Sequence, residues 1–417
     1  MVKFFLMSVI NTFVFIKLNY MLTQRQLFFE YLALPSAKPL ALEIIKAEGI
    51  YLFDKDGKKY FDLVSGVSVS NIGHRHPKVI QAIHNQLDEY MHLMVYGKYI
   101  QTPQVRLAKA LSDNLPEKLN STYFVNSGSE AVEGALKLAK RFTGRSEIIA
   151  FKNAYHGGTH GALSIMGHED LKNAFRPLLP DISFLEFNNF QDIDKISEKT
   201  ACVIIEPIQA EAGVILPEKD FLKNIRNKCY KTGALLIFDE IQMAFGRTGK
   251  LFCFENYNVV PDILCLAKSM GGGMPIGAFI SSKEIMRSLT FNPELGHITT
   301  FGGHPVCCAA ALANLEVLKE GDLIKQATEK GDLFKEILQK HPLIKEIRKK
   351  GLMLSIELEN SEQTDKIVKL FIKNGIVVDR FLFRNNAFRI APPLIISENE
   401  IVEVSNIILS CLNKLLI

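Results

Sequence analysis

The chain has 417 residues and a mass of 46.9 kDa, which at roughly 150 residues per domain predicts two or three domains. Apolar residues make up 47% and charged residues 23%, so a disordered, collagen-like or coiled-coil protein is excluded. The formal net charge of +4 is too small over this length to predict nucleic acid as a partner. The seven cysteines have no CxxC spacing, which indicates reduced thiols in a cytoplasmic protein.

The first twenty residues contain a short apolar run at 4–16. A bilayer span needs about 20 apolar residues, so this run is too short, and no small-residue cleavage site follows it. Thr23 and Gln26, just after Met21, have the spacing of a helix capping box. We predict that residues 1–20 are an upstream extension and that Met21 is the true start. A membrane-surface anchor is the alternative, and no membrane contact is expected of the rest.

Between residues 122 and 281, short apolar β-rich segments alternate with helical segments. Seven strands are predicted, at residues 122–125, 147–151, 182–187, 201–206, 234–239, 263–267 and 278–281. Several are continuously apolar, as strands covered on both faces of a sheet require. Residues 268–277 are too few for a parallel crossover, which needs about a dozen or more. The seventh strand is therefore predicted to be antiparallel in an otherwise parallel sheet.

The two chain ends are predicted to form a smaller domain. Residues 21–70 contain a short β pattern, and a long Ala-rich helix begins after Pro305 before a mixed α/β region. We predict an α/β fold in which a mostly parallel seven-stranded sheet carries helices on both faces. Residues 71–310 would form this large domain, and residues 21–70 and 311–417 the smaller one.

Residues 126–130, Asn-Ser-Gly-Ser-Glu, follow the first predicted strand and open a predicted helix at 131–142. Ser127 and Glu130 have capping-box spacing, and Gly128 lets the backbone approach a ligand closely. Free N–H groups and hydroxyls at a helix N-terminus suit an anion such as phosphate. The same motif fits a well-capped helix without a ligand, and both interpretations stay open on this motif alone.

Two further strand ends carry charged side chains at the edge where ligands bind in a doubly wound sheet. Asp239 and Glu240 end the fifth strand, where a structural salt bridge is the usual explanation for such a pair. Lys268 ends the sixth strand before a glycine run, and burial there would lower its pKa and make the amine nucleophilic. A surface lysine at a turn is the alternative. Together, the lysine, the carboxylate and the anion cradle match the needs of pyridoxal phosphate.

These residues belong to a longer series of motifs. The sequence resembles the class III pyridoxal-phosphate aminotransferases, the fold-type-I group that includes ornithine, acetylornithine and 4-aminobutyrate aminotransferases. The resemblance runs from about residue 40 to residue 415 and is carried by residues 71–77, 126–131, 205–209, 238–242, 246–249, 267–273, 300–303 and 389–393. It implies a fold-type-I architecture, a large domain that binds pyridoxal 5'-phosphate, and aminotransferase activity in amino-acid metabolism.

The resemblance also implies roles at matching positions. Lys268 would form the Schiff base with the cofactor, and Asp239 would pair with its pyridine nitrogen. Ser127, Gly128 and Ser129 would hold the phosphate. Three more cofactor contacts would come from Tyr155 stacking on the ring, Gln242 reaching the ring hydroxyl, and Glu206, a nearby carboxylate of open role.

Thr300 matches a residue that binds the phosphate of the neighbouring subunit's cofactor. The resemblance therefore implies an obligate homodimer with shared active sites. It also implies a ping-pong reaction in which an amino donor is followed by a 2-oxo acid acceptor. In this reaction neutral Lys268 would move the proton from the substrate Cα, while Asp239 keeps the ring nitrogen protonated.

One position departs from the family pattern. In ornithine and acetylornithine enzymes a carboxylate-binding Arg follows the ring-stacking aromatic by three residues, and Gly158 stands there in this chain. Glycine cannot replace a bidentate guanidinium contact, so turnover of ornithine or acetylornithine is in doubt. His156 and His160 have i, i+4 spacing, but the glycines between them argue against a helical metal site, and no metal is expected.

Arg389 is predicted to anchor the substrate carboxylate, because residues 388–393 resemble the family segment that binds the α-carboxylate of the acceptor. Glu211 matches the position at which ω-aminotransferases carry a Glu that pairs with this Arg. With Arg389 neutralised, the site would favour a donor with a terminal amine, such as an ω-amino acid. A permanent structural ion pair is the alternative.

Two other function classes fit parts of the sequence. Aminomutases and phospho-lyases share this fold and cofactor machinery, and a lyase would release ammonia without an acceptor. A non-catalytic binding protein could keep the fold, but binding alone needs neither Lys268 nor Asp239.

Overall fold

The computed structural model describes residues 22–416. The predicted upstream extension therefore lies outside the described residues. Within them, two compact units separate: residues 22–47 with 52–59, and residues 48–51 with 60–416. The predicted domain boundaries at 70 and 310 stay a prediction.

The described residues contain fifteen strands. They are β1 (Ile44–Glu48), β2 (Tyr51–Asp54), β3 (Lys59–Asp62), β4 (Ser121–Val125), β5 (Glu147–Phe151), β6 (Ile182–Leu185), β7 (Thr200–Ile205), β8 (Leu235–Asp239), β9 (Ile263–Leu266), β10 (Gly277–Ser281), β11 (Glu346–Lys350), β12 (Met353–Glu357), β13 (Ile376–Val377), β14 (Asp379–Arg380) and β15 (Ala387–Ile390). Strands β4 to β10 correspond to the seven predicted strands, with ends that differ by at most two residues.

Twelve α-helices lie in the same described part of the chain. They are α1 (Gln24–Tyr31), α2 (Ser65–Ser68), α3 (Pro77–Glu89), α4 (Thr102–Ser112), α5 (Gly128–Thr143), α6 (His160–Ser164), α7 (Phe221–Thr232), α8 (Lys283–Arg287), α9 (Pro305–Glu320), α10 (Leu323–Leu338), α11 (Ser361–Lys373) and α12 (Glu398–Asn413). The capping box predicted for Thr23 and Gln26 is present at the start of α1.

The central sheet has the strand order β4-β10-β9-β8-β7-β5-β6. All neighbours from β9 to β6 are parallel, whereas β10 is antiparallel to both β9 and β4. The prediction of one antiparallel strand is therefore confirmed. Because β10 runs antiparallel to β4, its first residue, Gly277, lies opposite Val125, the last residue of β4, next to the loop before α5.

Both faces of this sheet are covered by helices. Successive side chains of β8 point to opposite faces and pack against different helices. Leu236 and Phe238 pack with the apolar face of α7, including Phe221, in one core cluster. Leu235 and Ile237 belong to a second cluster, with the buried face of α5. Every residue of β8 is buried, which is why its sequence is apolar up to its last residue, Asp239.

A smaller antiparallel sheet follows in the C-terminal quarter, with the order β11-β12-β15-β14. Arg389 lies on β15 opposite Ser355 of β12, in the interior of this sheet. Strand β13 pairs in parallel with β3 through Ile376 and Phe61, so the two ends of the chain meet there. The α/β architecture with a mostly parallel central sheet is the predicted fold class.

Candidate active site

Lys268 directly follows β9 and Ala267, and begins a short 3-10 turn that ends at Gly271. Its backbone has a φ of +48°, a left-handed conformation that is costly for lysine and persists only where the surroundings hold it. The side chain reaches into a cavity, and burial there lowers the pKa of the amine. Glu211 opposes this effect and Arg389 reinforces it.

Asp239 is the last residue of β8 and is 5% exposed. Its Oδ1 accepts a hydrogen bond from the Ile241 N–H at 3.1 Å, and its Oδ2 lies 2.7 Å from Nδ1 of His156. The sequence suggests for His156 only an unfavoured metal-ligand role and does not predict its pairing with Asp239. The two residues are 83 positions apart, so no local pattern links them.

Glu206 follows β7, the strand beside β8, and is also buried. Its Oε1 accepts the Tyr155 N–H and its Oε2 accepts the Ala210 N–H, both at 3.0 Å. Burial raises the pKa of this carboxyl to about 7. The two hydrogen bonds tie Glu206 to the backbone at Ala210 and at Tyr155, and Tyr155 lines the cavity.

The start of α5 forms the predicted anion cradle. Ser127 caps the helix, since its Oγ accepts the Glu130 N–H at 3.2 Å. The predicted capping box forms only in part, because Glu130 turns to the Asn126 N–H instead of the Ser127 N–H. Ser129 Oγ accepts the Gly158 N–H at 3.3 Å, which leaves its hydroxyl proton free for a ligand.

Two glycines keep this cradle open. A Cβ at Gly157 would lie 2.1 Å from Ser129 Oγ, and a Cβ at Gly277 would lie 2.3 Å from the carbonyl oxygen of Ser127. Gly157 also has a φ of +128°, which only glycine adopts without strain. A side chain at either position would fill the space at the helix N-terminus.

The cavity has a volume of about 420 Å³, within the ordinary range for small-molecule sites. Nine of the eleven predicted site residues line it: Ser127, Gly128, Ser129, Tyr155, Glu206, Glu211, Asp239, Gln242 and Lys268. The other two are Arg389 and Thr300. Arg389 stands directly behind Glu211, whereas exposed Thr300 lies apart, with its Oγ1 3.4 Å from the Tyr96 hydroxyl.

Glu211 and Arg389 form a buried ion pair, with Arg389 Nη2 2.6 Å from Glu211 Oε1. Gln242 Nε2 donates to the same oxygen at 3.0 Å, and the Leu382 N–H donates to Oε2 at 3.1 Å. The Arg389 guanidinium also lies 4.8 Å from the centre of the Phe381 ring. Nε and Nη1 of Arg389 have no hydrogen-bond partner among the described residues, so their N–H groups can still donate to a ligand.

Gln242, which was expected to face a ring hydroxyl, contacts Glu211 through its amide nitrogen. Its Oε1 is buried without a partner in the part of the chain that the structure describes. Tyr155, the predicted stacking residue, lines the cavity, and burial raises the pKa of its hydroxyl. Both side chains line the cavity with polar atoms that have no hydrogen-bond partner among residues 22–416.

The residues present fit pyridoxal phosphate by their chemistry. The cavity wall brings together an amine of lowered pKa, an acceptor carboxylate and a helix N-terminus with free hydroxyls.

No helix within residues 22–416 is long and apolar enough to cross a membrane. The same residues contain no group of three or more His, Cys, Asp or Glu side chains that could hold a metal ion.

Comparisons with known proteins agree with this geometry. Residues 33–412 match the family model Aminotransferase class-III. A [LysW]-aminoadipate semialdehyde/glutamate semialdehyde transaminase from Sulfolobus acidocaldarius is 38% identical over 379 residues, which cover 90% of this chain and 95% of the relative. An acetylornithine aminotransferase from Methanocaldococcus jannaschii is 39% identical over 380 residues, covering 88% of this chain and 92% of the relative.

A solved structure extends the likeness to the fold. The ornithine aminotransferase from Toxoplasma gondii superposes with a TM-score of 0.88 at 29% identity, covering 96% of this chain and 97% of that one. A second structure of that enzyme is described with pyridoxal phosphate at its active site. Fold, cavity and family model therefore point to one class of protein.

Proposed function

This chain belongs to the class III aminotransferase family and is a pyridoxal-phosphate-dependent transaminase, and we propose that it moves an amino group from an ω-amino acid or amine to a 2-oxo acid. The observation that carries this donor class is the buried Glu211–Arg389 pair at the wall of the cavity that contains Lys268. The aminomutase and phospho-lyase alternatives are not favoured, because the relatives are transaminases.

The cofactor would be held by the residues that line the cavity. Lys268 would form the covalent bond, Asp239 would face the ring nitrogen, and Tyr155 would stack on the ring. The phosphate would lie at the start of α5, against Ser127, Gly128 and Ser129, with Gln242 and Glu206 completing the contacts. When bound, pyridoxal phosphate supplies an aldehyde that reacts with amines and a ring that withdraws electrons.

Lys268 would act as the base. Its lowered pKa favours the neutral amine, which can accept the proton from the substrate carbon that bears the nitrogen. Its left-handed backbone, fixed at the end of β9, holds the amine within the cavity while substrates exchange. Because the donor and the acceptor would use one cavity in turn, the first product leaves before the second substrate binds, and ping-pong kinetics follow.

Glu211 would select the donor. While its Oε1 pairs with Arg389, the guanidinium is neutralised and a donor with an uncharged chain next to its amine fits the cavity. When a 2-oxo acid binds, Glu211 would turn away and Arg389 would hold the acid's carboxylate through a charge-assisted bidentate contact. The free Nε and Nη1 atoms of Arg389 support this second role.

The names of two relatives support the same donor class. The Sulfolobus acidocaldarius relative is named for semialdehydes, whose carbonyl stands at the end of a chain, so that transamination yields a terminal amine. The Methanocaldococcus jannaschii relative is named for acetylornithine. Gly158 replaces the carboxylate-binding Arg of such enzymes, and open space surrounds it. We therefore expect a terminal-amine donor that does not need that Arg.

A homodimer is part of the proposal. Thr300 is exposed and lies outside the cavity of its own chain, so its expected contact with a cofactor phosphate needs a second copy. Large apolar side chains are exposed nearby in sequence, including Phe301 and Ile298, and would be covered by that copy.

The seven cysteines are all free and buried, which supports a reducing, cytoplasmic location.

A donor screen at fixed 2-oxoglutarate or pyruvate tests the donor class. Terminal amines and ω-amino acids should be used better than α-amino acids other than glutamate. Glu211→Ala should shift the ratio toward α-amino donors such as glutamate, because Arg389 is then always available. Glu211→Gln is the matched control, since it keeps the size of the side chain and removes only the charge. An unchanged donor ratio in both variants would leave the pair as a structural contact.

Gly158→Arg tests the position that departs from the family. No atom lies within 4 Å of a Cβ built there, and its φ is not positive, so the larger side chain can be accommodated. A new charged hydrogen bond should raise kcat/KM for N-acetylornithine about 10- to 100-fold. If the natural chain already uses N-acetylornithine as well as that variant, Gly158 does not limit the donor.

A further inference from the structure

A loop between β14 and β15 contacts both members of the Glu211–Arg389 pair. We call its residues 381–384, Phe-Leu-Phe-Arg, the latch loop. The Phe381 side chain is buried, at 3% exposed, whereas Leu382 is 54% exposed. Because the Leu382 side chain is mostly in solvent, any part that this residue takes in the site comes from its main chain.

The latch loop is anchored on both sides of Leu382. Phe381 packs in a buried apolar cluster with Val214 and Met243. The Phe383 ring stacks on the imidazole of His168, with 4.9 Å between the ring centres and 7° between the planes. These contacts hold the main chain between the two aromatic residues in one place.

The residue after them adds an ion pair. Arg384 donates from Nη2 and Nε to the Glu357 carboxylate, at 2.9 and 3.0 Å. A guanidinium that contacts both oxygens of a carboxylate is held in orientation as well as in position. The latch loop is therefore fixed by side chains that do not take part in the Glu211–Arg389 pair.

Two successive amides of the latch loop bind Glu211. The Phe383 N–H donates to the main-chain oxygen of Glu211 at 3.0 Å, a contact that does not change when the Glu211 side chain rotates. The Leu382 N–H donates to Oε2 of the side chain at 3.1 Å, and this contact must break if Glu211 turns away. An N–H that loses its acceptor away from water is costly. The Leu382 N–H therefore favours the conformation in which Glu211 neutralises Arg389.

The same loop contacts Arg389 through a side chain. The guanidinium carbon lies over the Phe381 ring, 4.8 Å from its centre. An aromatic ring attracts a cation through its face and takes up none of the N–H groups at the guanidinium edge. Nε and Nη1 of Arg389 accordingly have no hydrogen-bond partner among residues 22–416. Phe381 can hold the cation after Glu211 leaves and still keep these donors for a carboxylate.

We propose that the latch loop sets the balance of the Glu211–Arg389 pair, in which the Leu382 N–H holds Glu211 against Arg389 and the Phe381 ring holds the guanidinium in place for a substrate carboxylate. The inference rests on the proposed function of this pair. Phe381 and Leu382 are positioning residues, since neither is among the described residues that line the cavity.

The two contacts should act in opposite directions. A carboxylate binds Arg389 only in the fraction of molecules in which Glu211 has turned away, so its apparent Kd is the intrinsic Kd divided by that fraction. Loss of the Leu382 N–H raises this fraction and strengthens carboxylate binding. Loss of the Phe381 ring weakens binding, because the released guanidinium then has no partner that orients it. A purely structural role would make both changes weaken binding.

A backbone ester at position 382 tests the first contact. The α-hydroxy acid of leucine, incorporated into the full-length holoenzyme, keeps the side chain and removes the N–H. The Kd for glutarate, which has two carboxylates and no oxo group to react, should fall about 3- to 10-fold, the range for one hydrogen bond. The kcat/KM for the 2-oxo acid should rise by a similar factor. Leu382→Ala is the matched control, since it keeps the N–H, and its Kd should stay within about twofold of the natural value.

Phe381→Leu tests the second contact. The Kd for glutarate should rise about 3- to 30-fold, the range for a cation–π contact. A second variant carries 3,4,5-trifluorophenylalanine at position 381, which keeps the ring and withdraws electron density from its face, so it should also weaken binding. Glutarate binding that is unchanged or weaker in the ester protein would overturn the role of Leu382. A native Kd in both Phe381 variants would overturn that of Phe381.

The Glu211→Ala background separates the latch loop from the function on which it rests. Arg389 is already released there, so the ester at position 382 should leave the Kd for glutarate unchanged, whereas Phe381→Leu should still weaken it. An ester effect of the same size in that background would overturn the inference. If Glu211→Ala alone changes neither the Kd for glutarate nor the donor ratio, the proposed function of the pair fails, and the inference fails with it.

Discussion

Two sets of buried charged residues lie in the larger unit, and they differ in what their atoms contact. The cavity set is Lys268 and Asp239, which line the cavity, with Arg389, which pairs with the cavity residue Glu211. The structural set is Lys330, Glu240 and Arg247. Each set has one lysine, one carboxylate and one arginine, and all six are buried or partly buried. Their neighbours along the chain do not distinguish them, since Asp239 and Glu240 are adjacent.

The carboxylates show the difference most clearly. Glu240 is fully buried, and its two oxygens accept the backbone N–H groups of Cys253 and Phe254 at 2.5 and 2.6 Å. Asp239 contacts a side chain and one backbone N–H, and still lines the cavity. Among the described residues, neither carboxylate forms the salt bridge with Lys or Arg that such a pair suggests in the sequence.

The arginines and lysines repeat the pattern. Both terminal nitrogens of Arg247 donate to protein oxygens, those of Leu352, Pro392 and Asn71. Arg389 uses one terminal nitrogen only. Lys330 Nζ donates to the Leu394 carbonyl at 2.7 Å, whereas Lys268 Nζ has no hydrogen-bond partner within the described residues. Burial of charge therefore does not identify a site, but unused hydrogen-bonding capacity that faces a cavity does.

The lysine pair should give the largest contrast. Lys268→Ala should abolish turnover and the absorption band of the bound cofactor, because no other amine lines the cavity among the described residues. Lys330→Ala should keep the band and the turnover per folded molecule, and lower the midpoint of thermal unfolding instead. Steady-state assays and absorption spectra of both proteins measure this. Full activity of Lys268→Ala would remove the proposed catalytic role.

The adjacent carboxylates should differ in the next largest effect. Asp239→Asn should lower kcat/KM by several orders of magnitude with a nearly native unfolding midpoint, since a neutral amide cannot keep a ring nitrogen protonated. Glu240→Gln should instead lower the free energy of unfolding by about 1–3 kcal/mol, because the amide leaves one backbone N–H without an acceptor. A loss below about tenfold in Asp239→Asn would make that carboxylate structural as well.

The arginines provide a third contrast. Arg389→Ala should raise the KM for the 2-oxo acid steeply, since loss of a buried charged contact costs about 2–5 kcal/mol. With Gly158 in place of the other guanidinium, little else can hold the carboxylate. Arg247→Ala should leave that KM unchanged in the fraction that folds. It should lower the free energy of unfolding instead, because the oxygens of residues 71, 352 and 392 lose their hydrogen-bond donor. Equal KM changes in both variants would show that the pair Glu211–Arg389 serves the fold.

Much of this architecture was accessible from the sequence, because it depends on local patterns. The seven strands, the antiparallel strand β10 and the helix stopped before Gly144 follow from apolar runs, gap lengths and a left-handed glycine cap. The lysine and the carboxylate at strand ends were found in the same way. Their convergence follows from topology, since carboxyl ends of parallel strands share one edge.

The contacts between side chains were not accessible in this way. The distances in sequence are 83 residues between His156 and Asp239, and 31 between Glu211 and Gln242. Both contacts depend on rotamers set by packing, which no periodicity records. Asp239 and Glu240 point in different directions because successive side chains alternate along an extended strand. The backbone N–H groups that bind Glu240, however, belong to a 3-10 turn that begins at Cys253, which lies 13 residues further along the chain. The site residues were therefore predicted as a set, and their pairings needed the structure.

The smallest expected effect concerns stability and has opposite signs for the two lysines. In the apoenzyme, Lys268→Met should raise the free energy of unfolding by about 0.5–2 kcal/mol near pH 7, because the partly buried amine has no hydrogen bond to lose. Burial lowers its pKa in the folded protein below the ordinary 10.5, so the charged amine is less favourable in the folded protein than in the unfolded chain. That cost shrinks as the pH rises toward the unfolded pKa. The advantage of Lys268→Met over the natural apoenzyme should therefore be smaller at about pH 10 than at about pH 7 in urea titrations. Lys330→Met should lower the free energy of unfolding at both pH values, since the Leu394 carbonyl loses its hydrogen-bond donor. If both variants lower the free energy of unfolding equally, the buried amine of Lys268 does not destabilise the fold.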